Sequence, residues 1–371
     1  MEKRKSDSNC FNISHIQPCK LFNMSSINSN NDYLKFCEQS NIINEQQNNN
    51  NNNNNKEKND NGKHKNPHFH KRSKSNVINI NNNNNIKSNI LNNLNNHDHF
   101  IHFNSPSMYN SYKEFSICLE QNSKYHMNME DCFSIIKYFE DDVNKSLFCL
   151  FDGHGGNQVS NFLSKYFIDY FNKYLEKYPK EEMEVLFKKI FKNLDLDIKK
   201  YVTKSDDMGS TATIIYITRE CDPKFGVRKI VYCANIGDTR SVLFTKNDCK
   251  RMTYEHKCSD KFEEERIKKS NGMISNNRLN GVLSISRAFG DFVLKGKGLI
   301  CEPSIRKMEI NSNNSNFIVL CTDGIWDVVN EEDIFYLTLN NHQTETICKE
   351  IITMGKKRDS KDNMSCIVIK V

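Results

Sequence analysis

Acidic side chains stand beside several short apolar runs in this sequence, at points where strands are expected to begin or end. Three of them follow such a run and a fourth precedes the last one; these are Asp152, Asp238, Asp323 and Asp362. Each of the first three has a glycine beside it, which lets backbone and ligand approach closely. A carboxylate at a strand end can point into a cleft that several strands share, so we expect these side chains to converge.

Carboxylates that converge on one cleft repel one another unless positive charge lies between them. Oxygen ligands favour hard cations such as Mg²⁺ or Mn²⁺ over zinc. Glu130 and Asp131 add two carboxylates between strand-like segments, and His154 stands in a glycine-rich loop after Asp152. Asp-Gly pairs are also common in plain turns, so no single motif is decisive. Together the motifs predict a metal centre with a histidine beside it.

The chain from Tyr112 onward alternates between strand-like and helix-like patterns. Apolar residues spaced by three and four predict helices, and short apolar runs predict strands. Helices are expected at 158–178, 185–201, 263–270, 331–340 and 344–358. Strands are expected at 115–119, 147–151, 211–218, 229–236, 240–245, 317–321 and 364–371. Helix pairs fall between groups of strands without regular β-α-β alternation, which favours an α+β layered fold over a doubly wound sheet.

Residues 1–110 differ in composition from the rest of the chain, with asparagine runs at 48–55 and 81–85 and few apolar stretches. Such a segment buries too little apolar surface to offset the entropy cost of ordering its backbone. We therefore predict a disordered, Asn-rich segment over 1–110 and one globular domain over 111–371, which is long enough for a substantial core. Asparagine tracts can also self-associate, so an assembly function for this segment remains an alternative.

Charge and cysteine content argue against several classes of function. Residues 1–110 hold 13 Lys and Arg against 8 Asp and Glu, and the remaining residues hold 39 against 38, so the net charge of +6 lies mainly in the N-terminal segment. A balanced domain offers no basic footprint for nucleic acid. The 14 cysteines include no Cys-x-x-Cys pair and fit a reducing, cytoplasmic or nuclear location. No apolar run approaches the ~18 residues of a membrane span.

The candidate residues belong to short motifs that follow one another along the predicted domain. In chain order the motifs are Met129-Glu130-Asp131, Phe151-Asp152-Gly153-His154-Gly155-Gly156, Gly209-Ser210-Thr211-Ala212, Asn235-Ile236-Gly237-Asp238-Thr239-Arg240, Glu255-His256-Lys257 with Glu263-x-x-Arg266-Ile267, Asn280-Gly281-Val282-Leu283-Ser284-Ile285-Ser286-Arg287-Ala288-Phe289-Gly290-Asp291, Thr322-Asp323-Gly324-Ile325-Trp326-Asp327, and Asp362-Asn363-Met364-Ser365. Any one of them is weak, but their order is specific. In these motifs the chain resembles the metal-dependent serine/threonine protein phosphatases of type 2C, over essentially the whole predicted domain.

The resemblance implies a four-layer α-β-β-α sandwich, in which helix pairs flank two central antiparallel sheets and the metals lie in a cleft at one edge. It implies that Asp152 bridges two Mg²⁺ or Mn²⁺ ions. Asp323 and Asp362 would complete the shell of one ion, and the backbone carbonyl of Gly153 would help to hold the other. Removal of any of these carboxylates is expected to abolish catalysis.

Other carboxylates receive supporting roles from the same resemblance. Glu130 and Asp131 would hold metal-bound waters. Asp238 would form a third, weaker metal site together with Asp323 and Asp327. The implied cofactors are therefore two Mg²⁺ or Mn²⁺ ions, with a third site of lower affinity.

The implied reaction is hydrolysis of phosphoserine and phosphothreonine in proteins. Two cations held ~3.5–4 Å apart lower the pKa of a water between them, and the resulting hydroxide attacks phosphorus in line. The leaving alkoxide is strongly basic, so a general acid is needed, and His154 matches that residue of the family. Such acid catalysis is typically worth ~10²–10⁴ in rate. The expected partners are phosphoprotein substrates, without nucleic acid or membrane, and the expected state is a monomer.

One departure from the family pattern concerns the substrate phosphate. The family usually has an arginine four residues before Glu130, where it clamps the phosphate, but here that position is His126. Arginine offers a permanently charged fork, whereas histidine offers one donor at a time. Lys124 or a loop arginine is an alternative clamp. A catalytically weak scaffold that binds phosphoproteins is therefore the competing function, although such a decayed site would be expected to lose some of its metal carboxylates.

Overall fold

The computed structural model describes residues 77–80, 98–104, 111–139, 142–222, 226–310 and 316–371. The strands in chain order are β1 (Val77–Ile80), β2 (Asp98–Asn104), β3 (Glu114–Glu120), β4 (Cys132–Ile136), β5 (Lys145–Phe151), β6 (Gly153–His154), β7 (Gly209–Ser210), β8 (Ala212–Asp222), β9 (Gly226–Ile236), β10 (Arg240–Phe244), β11 (Cys249–Arg251), β12 (Ile274–Ser275), β13 (Arg278–Leu279), β14 (Phe289–Gly290), β15 (Ser304–Ile310), β16 (Phe317–Cys321) and β17 (Met364–Lys370). The helices are α1 (Gln158–Lys177), α2 (Met183–Tyr201), α3 (Lys261–Lys269), α4 (Phe292–Lys295), α5 (Asp323–Trp326), α6 (Glu331–Asn340) and α7 (Thr344–Lys357).

Two six-stranded antiparallel sheets form the centre of the molecule. The first has the strand order β1-β4-β5-β8-β9-β15, and the second has the order β11-β10-β16-β17-β3-β2. Two smaller sheets, β12-β13 and β14-β7-β6, lie outside them. Strands β8 and β9 pair along their full length from Ala212↔Ile236 to Asp222↔Gly226, so they form the longest hairpin of the sandwich.

Alternating side chains of each central strand enter different cores. In β5, Leu147, Cys149 and Phe151 pack with α1 and α2, whereas Phe148 and Leu150 face the second sheet. Successive residues of a strand point to opposite faces, so a strand covered on both sides must be apolar throughout. This explains why β5 and β17 were recognisable in the sequence as continuous apolar runs.

Helices cover both outer faces and complete the four-layer α-β-β-α sandwich that the sequence predicts. On the first sheet, α1 and α2 bury Phe167, Phe171, Phe187 and Phe191 completely. Full burial of such a side chain contributes about 1.5–3 kcal/mol to folding. On the second sheet, α7 lies against β3 and β17 through a further apolar cluster. Helix α6 begins with a capping box between Asn330 and Asp333.

Residues 258–299 form a lobe with its own small apolar cluster, to which Ile267, Leu279, Ala288 and Leu299 contribute. Its helix α3 starts at the Asp260 side chain, which accepts hydrogen bonds from the backbone amides of the first turn. A cap of this kind typically stabilises a helix by about 1 kcal/mol. The lobe carries β14 at its C-terminal side, and this strand joins the small sheet β14-β7-β6.

Two strands lie inside the range for which the sequence predicts disorder. Strand β1 pairs with β4, and β2 pairs with β3 over its whole length. Ile101 and Phe103 of β2 pack on the core between the sheets, and Phe100 packs on the outer core. Strands β1 and β2 are thus paired parts of the two sheets inside the range predicted to be disordered, and the boundary at 111 stays a prediction. The rest of that segment lies outside the described residues.

None of the described helices is long and apolar enough to cross a membrane. The helices expected from apolar spacing are all present, with ends that differ by at most a few residues. Beyond β1 and β2, the strands of the two central sheets that were not expected are β4, β11 and β15. Three of the seven residues of β15, Ser304–Ile310, are charged, because the strand lies at the edge of its sheet and most of its side chains remain in contact with solvent.

Candidate active site

Four aspartates meet at one edge of the sandwich, where their strands end. Asp152 follows β5, Asp238 follows β9, Asp323 follows β16, and Asp362 precedes β17. The backbone amide of Thr211 donates to the Asp152 carbonyl at 2.8 Å, which ties the first of these turns to the start of β8. The structure thus brings together the four carboxylates that the sequence placed beside apolar runs.

Each of these carboxyl groups makes ionisation of its acidic neighbours less favourable. Burial raises the pKa of Asp152 well above its usual value, and the negative charges of Asp323, Asp131 and Asp238 raise it further. Burial likewise raises the pKa of Asp323, again with support from its acidic neighbours. Among the described residues, neither Asp152 nor Asp323 forms an ion pair with a basic side chain. Without cations, ionisation of these two carboxyl groups is therefore unfavourable.

Asp131 joins the first motif to the last two. Its Oδ2 accepts hydrogen bonds from Thr322 Oγ1 at 3.1 Å and from Ser365 Oγ at 2.5 Å. Burial raises the pKa of Asp131 to about 7. The carboxylate is thus fixed by two hydroxyl groups, and its negative charge helps to raise the pKa of Asp152.

Gly153 lies where two segments of backbone meet. A Cβ atom on this residue would be 2.5 Å from the carbonyl oxygen of Glu130 and 2.8 Å from Ser160 Oγ, so no larger side chain fits. Ser160 Oγ donates to the same Glu130 carbonyl at 2.6 Å, and the Glu130 amide donates to Asn363 Oδ1 at 2.8 Å. Burial raises the pKa of the Glu130 side chain. These contacts hold the first metal motif against the loop after Asp152.

His126 lies directly beside Asp362. Its Nε2 donates to the carbonyl oxygen of Lys361 at 2.9 Å and lies 3.2 Å from Asp362 Oδ1. Lys124, the alternative phosphate clamp, is 3.9 Å from Asp359, and its side chain is 72% exposed. The structure therefore groups His126 with a predicted metal ligand, whereas Lys124 lies toward solvent beside an aspartate that has no predicted role.

The residues assigned to a third metal site face a lysine. Lys257 Nζ is 3.7 Å from Asp238 Oδ2, 4.0 Å from Asp327 Oδ1 and 3.8 Å from Glu255 Oε2. Burial raises the pKa of Asp238, while the charge of Lys257 lowers it in part. Glu255 is also paired with Arg240, at 2.6 Å. The ammonium group of Lys257 therefore supplies positive charge beside two of the three predicted ligands.

His154 makes one close contact with an acidic side chain. Its Nε2 is 2.7 Å from Oδ2 of Asp291, and the side chains are 28% and 7% exposed respectively. The contact arises because the small sheet β14-β7-β6 places the ends of two distant motifs side by side. In the sequence Asp291 is only the last residue of a recognised motif, and its contact with His154 was not foreseen.

The donor set fits hard divalent cations. It consists of several carboxylates and a backbone carbonyl, all oxygen, and the charge they share lacks a basic partner at Asp152 and Asp323. The side chains do not form a closed cage as they stand, because no three His, Cys, Asp or Glu residues of the described part lie close enough to enclose an ion. The chemistry of the set, rather than a preformed geometry, therefore indicates metal binding.

Sequence reasoning missed the polar residues that orient these carboxylates. Thr322, Asn363 and Ser365 stand inside recognised motifs, but no role was given to them. Asn363 donates to the carbonyls of Gln121 and Asn128, and thus ties the last motif to the first. Their position within three residues of a predicted ligand was a signal that could have identified them.

Comparisons with known proteins agree with this arrangement. The family model described as Protein phosphatase 2C matches residues 115–364. Protein phosphatase 2C homolog 1 of Schizosaccharomyces pombe is 29% identical over 252 residues, which are 68% of this chain and 71% of that protein. Protein phosphatase 2C homolog 1 of Saccharomyces cerevisiae is 27% identical over 257 residues, which are 67% of this chain and 90% of that protein.

Solved structures show the same fold. A phosphatase from a pathogenic strain of Toxoplasma gondii superposes with a TM-score of 0.61 at 21% identity, and the alignment covers 74% of this chain and 97% of that one. A sex-determining protein of C. elegans superposes with a TM-score of 0.58 at 23% identity, over 74% of this chain and 64% of that one. At these identities the likeness concerns the fold alone.

Proposed function

The chain belongs to the protein phosphatase 2C family and is a metal-dependent protein serine/threonine phosphatase, and we propose that Asp152, Asp323 and Asp362 hold two divalent cations in its cleft. The observation that carries this proposal is the group of carboxyl groups at one edge of the sandwich, of which Asp152 and Asp323 have no basic partner among the described residues. Burial and mutual repulsion raise the pKa of both Asp152 and Asp323, and two Mg²⁺ or Mn²⁺ ions would remove that repulsion.

Each carboxylate has a distinct task in this proposal. Asp152 would hold both ions, Asp323 and Asp362 would hold one of them, and the Gly153 carbonyl would contribute to the other. When bound, the cations would lower the pKa of a water and make it a nucleophile at neutral pH. Asp131 is the best oriented of the remaining acids, because Thr322 and Ser365 donate to it.

Glu130 is proposed to act with Asp131 by accepting hydrogen bonds from water at the metal edge. Asp238 and Asp327 are proposed to form a weaker third site. Lys257 reduces the negative charge there, which is a physical reason for low affinity. The third site would then fill only at higher cation concentration than the first two.

His154 is proposed to protonate the leaving group. The alkoxide of serine or threonine is a strong base, so its departure is assisted by a proton from a neighbouring acid. His154 follows Asp152 by two residues on β6 and is only partly exposed, which supports a position between the metal edge and solvent. His126 is proposed to contact the substrate phosphate, next to Asp362.

The experiment that tests this function measures hydrolysis of a phosphothreonine peptide by the full chain. We expect activity with Mn²⁺, loss of activity in EDTA and recovery when Mn²⁺ is restored. Asp323→Asn should be inactive under all three conditions, while the exposed Asp248→Asn should behave as the unmodified protein. Full activity in EDTA would refute a metal-dependent mechanism at this site.

The competing function is a phosphoprotein-binding scaffold with little catalysis. It is favoured only by the replacement of the phosphate-clamping arginine by His126. All four metal aspartates remain, and a chain relieved of catalysis has no reason to keep Asp152 and Asp323 together without a basic partner. Tight binding of a phosphopeptide without turnover in Mn²⁺ would favour this alternative.

A further inference from the structure

His154 is held by a buried carboxylate that the proposed mechanism leaves unused. Nε2 of His154 lies 2.7 Å from Asp291 Oδ2, and the Asp291 side chain is almost inaccessible to solvent. A carboxylate accepts hydrogen bonds, so the hydrogen in this contact is on Nε2 of the imidazole. One of the two ring nitrogens, Nε2, is therefore hydrogen-bonded to Asp291, and only Nδ1 remains to act on a substrate.

The backbone around this pair is built to bring the two groups together. In the small sheet, Gly209 lies opposite both His154 and Gly290. A Cβ atom on Gly209 would overlap the Asp291 carboxylate and the His154 ring, so the contact depends on glycine at this position. Asp291 itself has a φ of 51°, a left-handed conformation that costs free energy for any residue but glycine.

Further contacts fix the backbone that carries this carboxylate. The Asp291 amide donates to the Met208 carbonyl at 2.9 Å, and the Gly290 amide donates to Asp195 Oδ1 at 3.0 Å. Asp195 belongs to α2 and is also paired with Lys295 at 2.9 Å. A residue of α2 and the residue before β7 thus hold the backbone of the two residues that precede α4, from which the Asp291 side chain extends to His154.

We propose that Asp291 is a positioning residue that fixes the His154 ring, so that Nδ1 delivers the proton to the leaving oxygen. The inference rests on the proposed role of His154 as proton donor. A water oxygen, whose proton passes to solvent, forms a new bond to phosphorus as the bond from phosphorus to the leaving oxygen breaks, and the electron pair of the broken bond passes to the seryl or threonyl oxygen. That oxygen takes the proton from Nδ1 of the doubly protonated ring, and the N–H electron pair stays on the ring. The neutral ring keeps its Nε2–H bonded to the Asp291 carboxylate, as the orienting acid does for histidine in hydrolases that use a similar pair.

The test compares two substrates that differ in their need for a proton. Threonine alkoxide is a poor leaving group, whereas p-nitrophenolate leaves without protonation. We expect Asp291→Asn in the full chain to lower kcat on a phosphothreonine peptide by about 10–100-fold, and on p-nitrophenyl phosphate by no more than about 3-fold. Equal losses on both substrates, or no loss on either, would overturn the proposal.

A double-mutant cycle separates this inference from the proposed role of His154. His154→Gln alone should show the same dependence on the leaving group, and adding Asp291→Asn to it should change kcat no further, because both act through one ring. No leaving-group dependence in His154→Gln would refute the proton-donor role itself. Dependence in His154→Gln but not in Asp291→Asn would refute only the role of Asp291.

A measurement on the unmodified protein covers the case in which Asp291→Asn fails to fold. ¹⁵N spectra of the histidine rings, with the His154 signals assigned by their loss in His154→Gln, report which nitrogen carries hydrogen. We expect the neutral His154 ring to be protonated on Nε2, with slow exchange of that hydrogen with solvent. A ring protonated on Nδ1 would overturn the inference.

Discussion

Asp152 in the cleft and Glu263 in the neighbouring lobe are both withdrawn from solvent, yet their pKa values move in opposite directions. Glu263 is the more deeply buried, with 2% of its side chain exposed. Burial alone would raise its pKa, but hydrogen bonds from Arg287, Arg266 and Ser286 outweigh burial and lower the pKa to about 2. The pKa of Asp152 is raised by burial and by other acids.

The difference lies in the partners, not in the depth of burial. Arg287 and Arg266 reach Glu263 from two sides, at 2.6 Å and 2.8 Å, and Ser286 Oγ donates to it at 2.5 Å. Removing one partner of a fully paired buried charge destabilises the fold, whereas a buried acidic group without a basic partner indicates a binding site for a cation. The two regions therefore predict opposite consequences when an acidic side chain is neutralised.

The largest expected effect is on catalysis in the cleft. Asp152→Asn or Asp323→Asn should lower kcat/KM at least ~10³-fold, because the nucleophile depends on the ions. The melting temperature in EDTA should be unchanged or higher, since repulsion among the carboxylates is relieved. Steady-state kinetics and calorimetry measure these quantities, with Asp248→Asn as the control. A large drop in the melting temperature with activity retained would reverse the comparison.

Neutralising the lobe should affect stability instead. Glu263→Gln removes the negative member of a buried network and leaves Arg287 and Arg266 without their partner, so the free energy of unfolding should fall by about 3–5 kcal/mol. Urea unfolding measures this change. The exposed Glu264→Gln, which removes only a surface pair with Lys268, should cost at most about 1 kcal/mol. Similar losses in the two variants would contradict the assigned structural role.

The same network predicts a dependence of stability on pH. The folded-state pKa of Glu263 is lowered from 4.5 to about 2, so its contribution is present above pH 4.5 and is lost as the pH falls from there to about 2. A shift of this size corresponds to roughly 3 kcal/mol. Unfolding free energies of the unmodified protein and of Glu263→Gln should converge over this range. Parallel pH profiles would show that Glu263 does not titrate as expected.

His126 provides a smaller test on the side of the cleft. His126→Arg adds a permanent bidentate charge beside Asp362, and charge-assisted pairs are roughly twice as strong as neutral ones. KM for a small phosphoester should fall by ~5–30-fold, which is ~1–2 kcal/mol, with a smaller change in kcat. Lys124→Met is the matched comparison. An unchanged KM in His126→Arg with a raised KM in Lys124→Met would assign the phosphate to Lys124.

The smallest expected effect concerns Lys257, whose ammonium group supplies positive charge beside Asp238 and Asp327 in the cleft. Lys257→Met should raise the affinity of the weakest Mn²⁺ site by about 2–5-fold, because a half-exposed ion pair is worth at most about 1 kcal/mol. Isothermal titration with Mn²⁺ measures this affinity, and Lys250→Met on the surface serves as the control. Weaker binding in Lys257→Met would show that the lysine supports the site and does not compete with the cation.

Much of the fold and of the metal edge follows from the sequence. Strands β5, β16 and β17 are buried on both faces, so they were easily recognised in the sequence as continuous apolar runs. The aspartates beside these strands were therefore expected at one edge of the sheets. The wide apolar stripes of α1 and α2 determined those helices in the same way. Composition and local spacing predict these elements because the residues that each element buries recur at the spacing of its own helix or strand.

Other features depended on the tertiary structure. Strand β2 has few apolar residues in an Asn-rich context, and its order comes from pairing with β3 and from the contact of Phe103 with Phe115 and Lys137. No local pattern records such an edge strand, because its stability comes from a neighbour. The sequence analysis therefore did not recognise β2 as a strand and included it in the segment predicted to be disordered.

The sequence alone determined which acids could bind metal, since residue type and strand position are local properties. The tertiary structure decided which charges are paired. Asp291 is 137 residues from His154, and Glu263 is 24 residues from Arg287, so neither contact has a signature in local spacing. The groups around a buried charge determine whether the protein itself stabilises that charge or whether a ligand is needed. Those groups come together only when the chain folds.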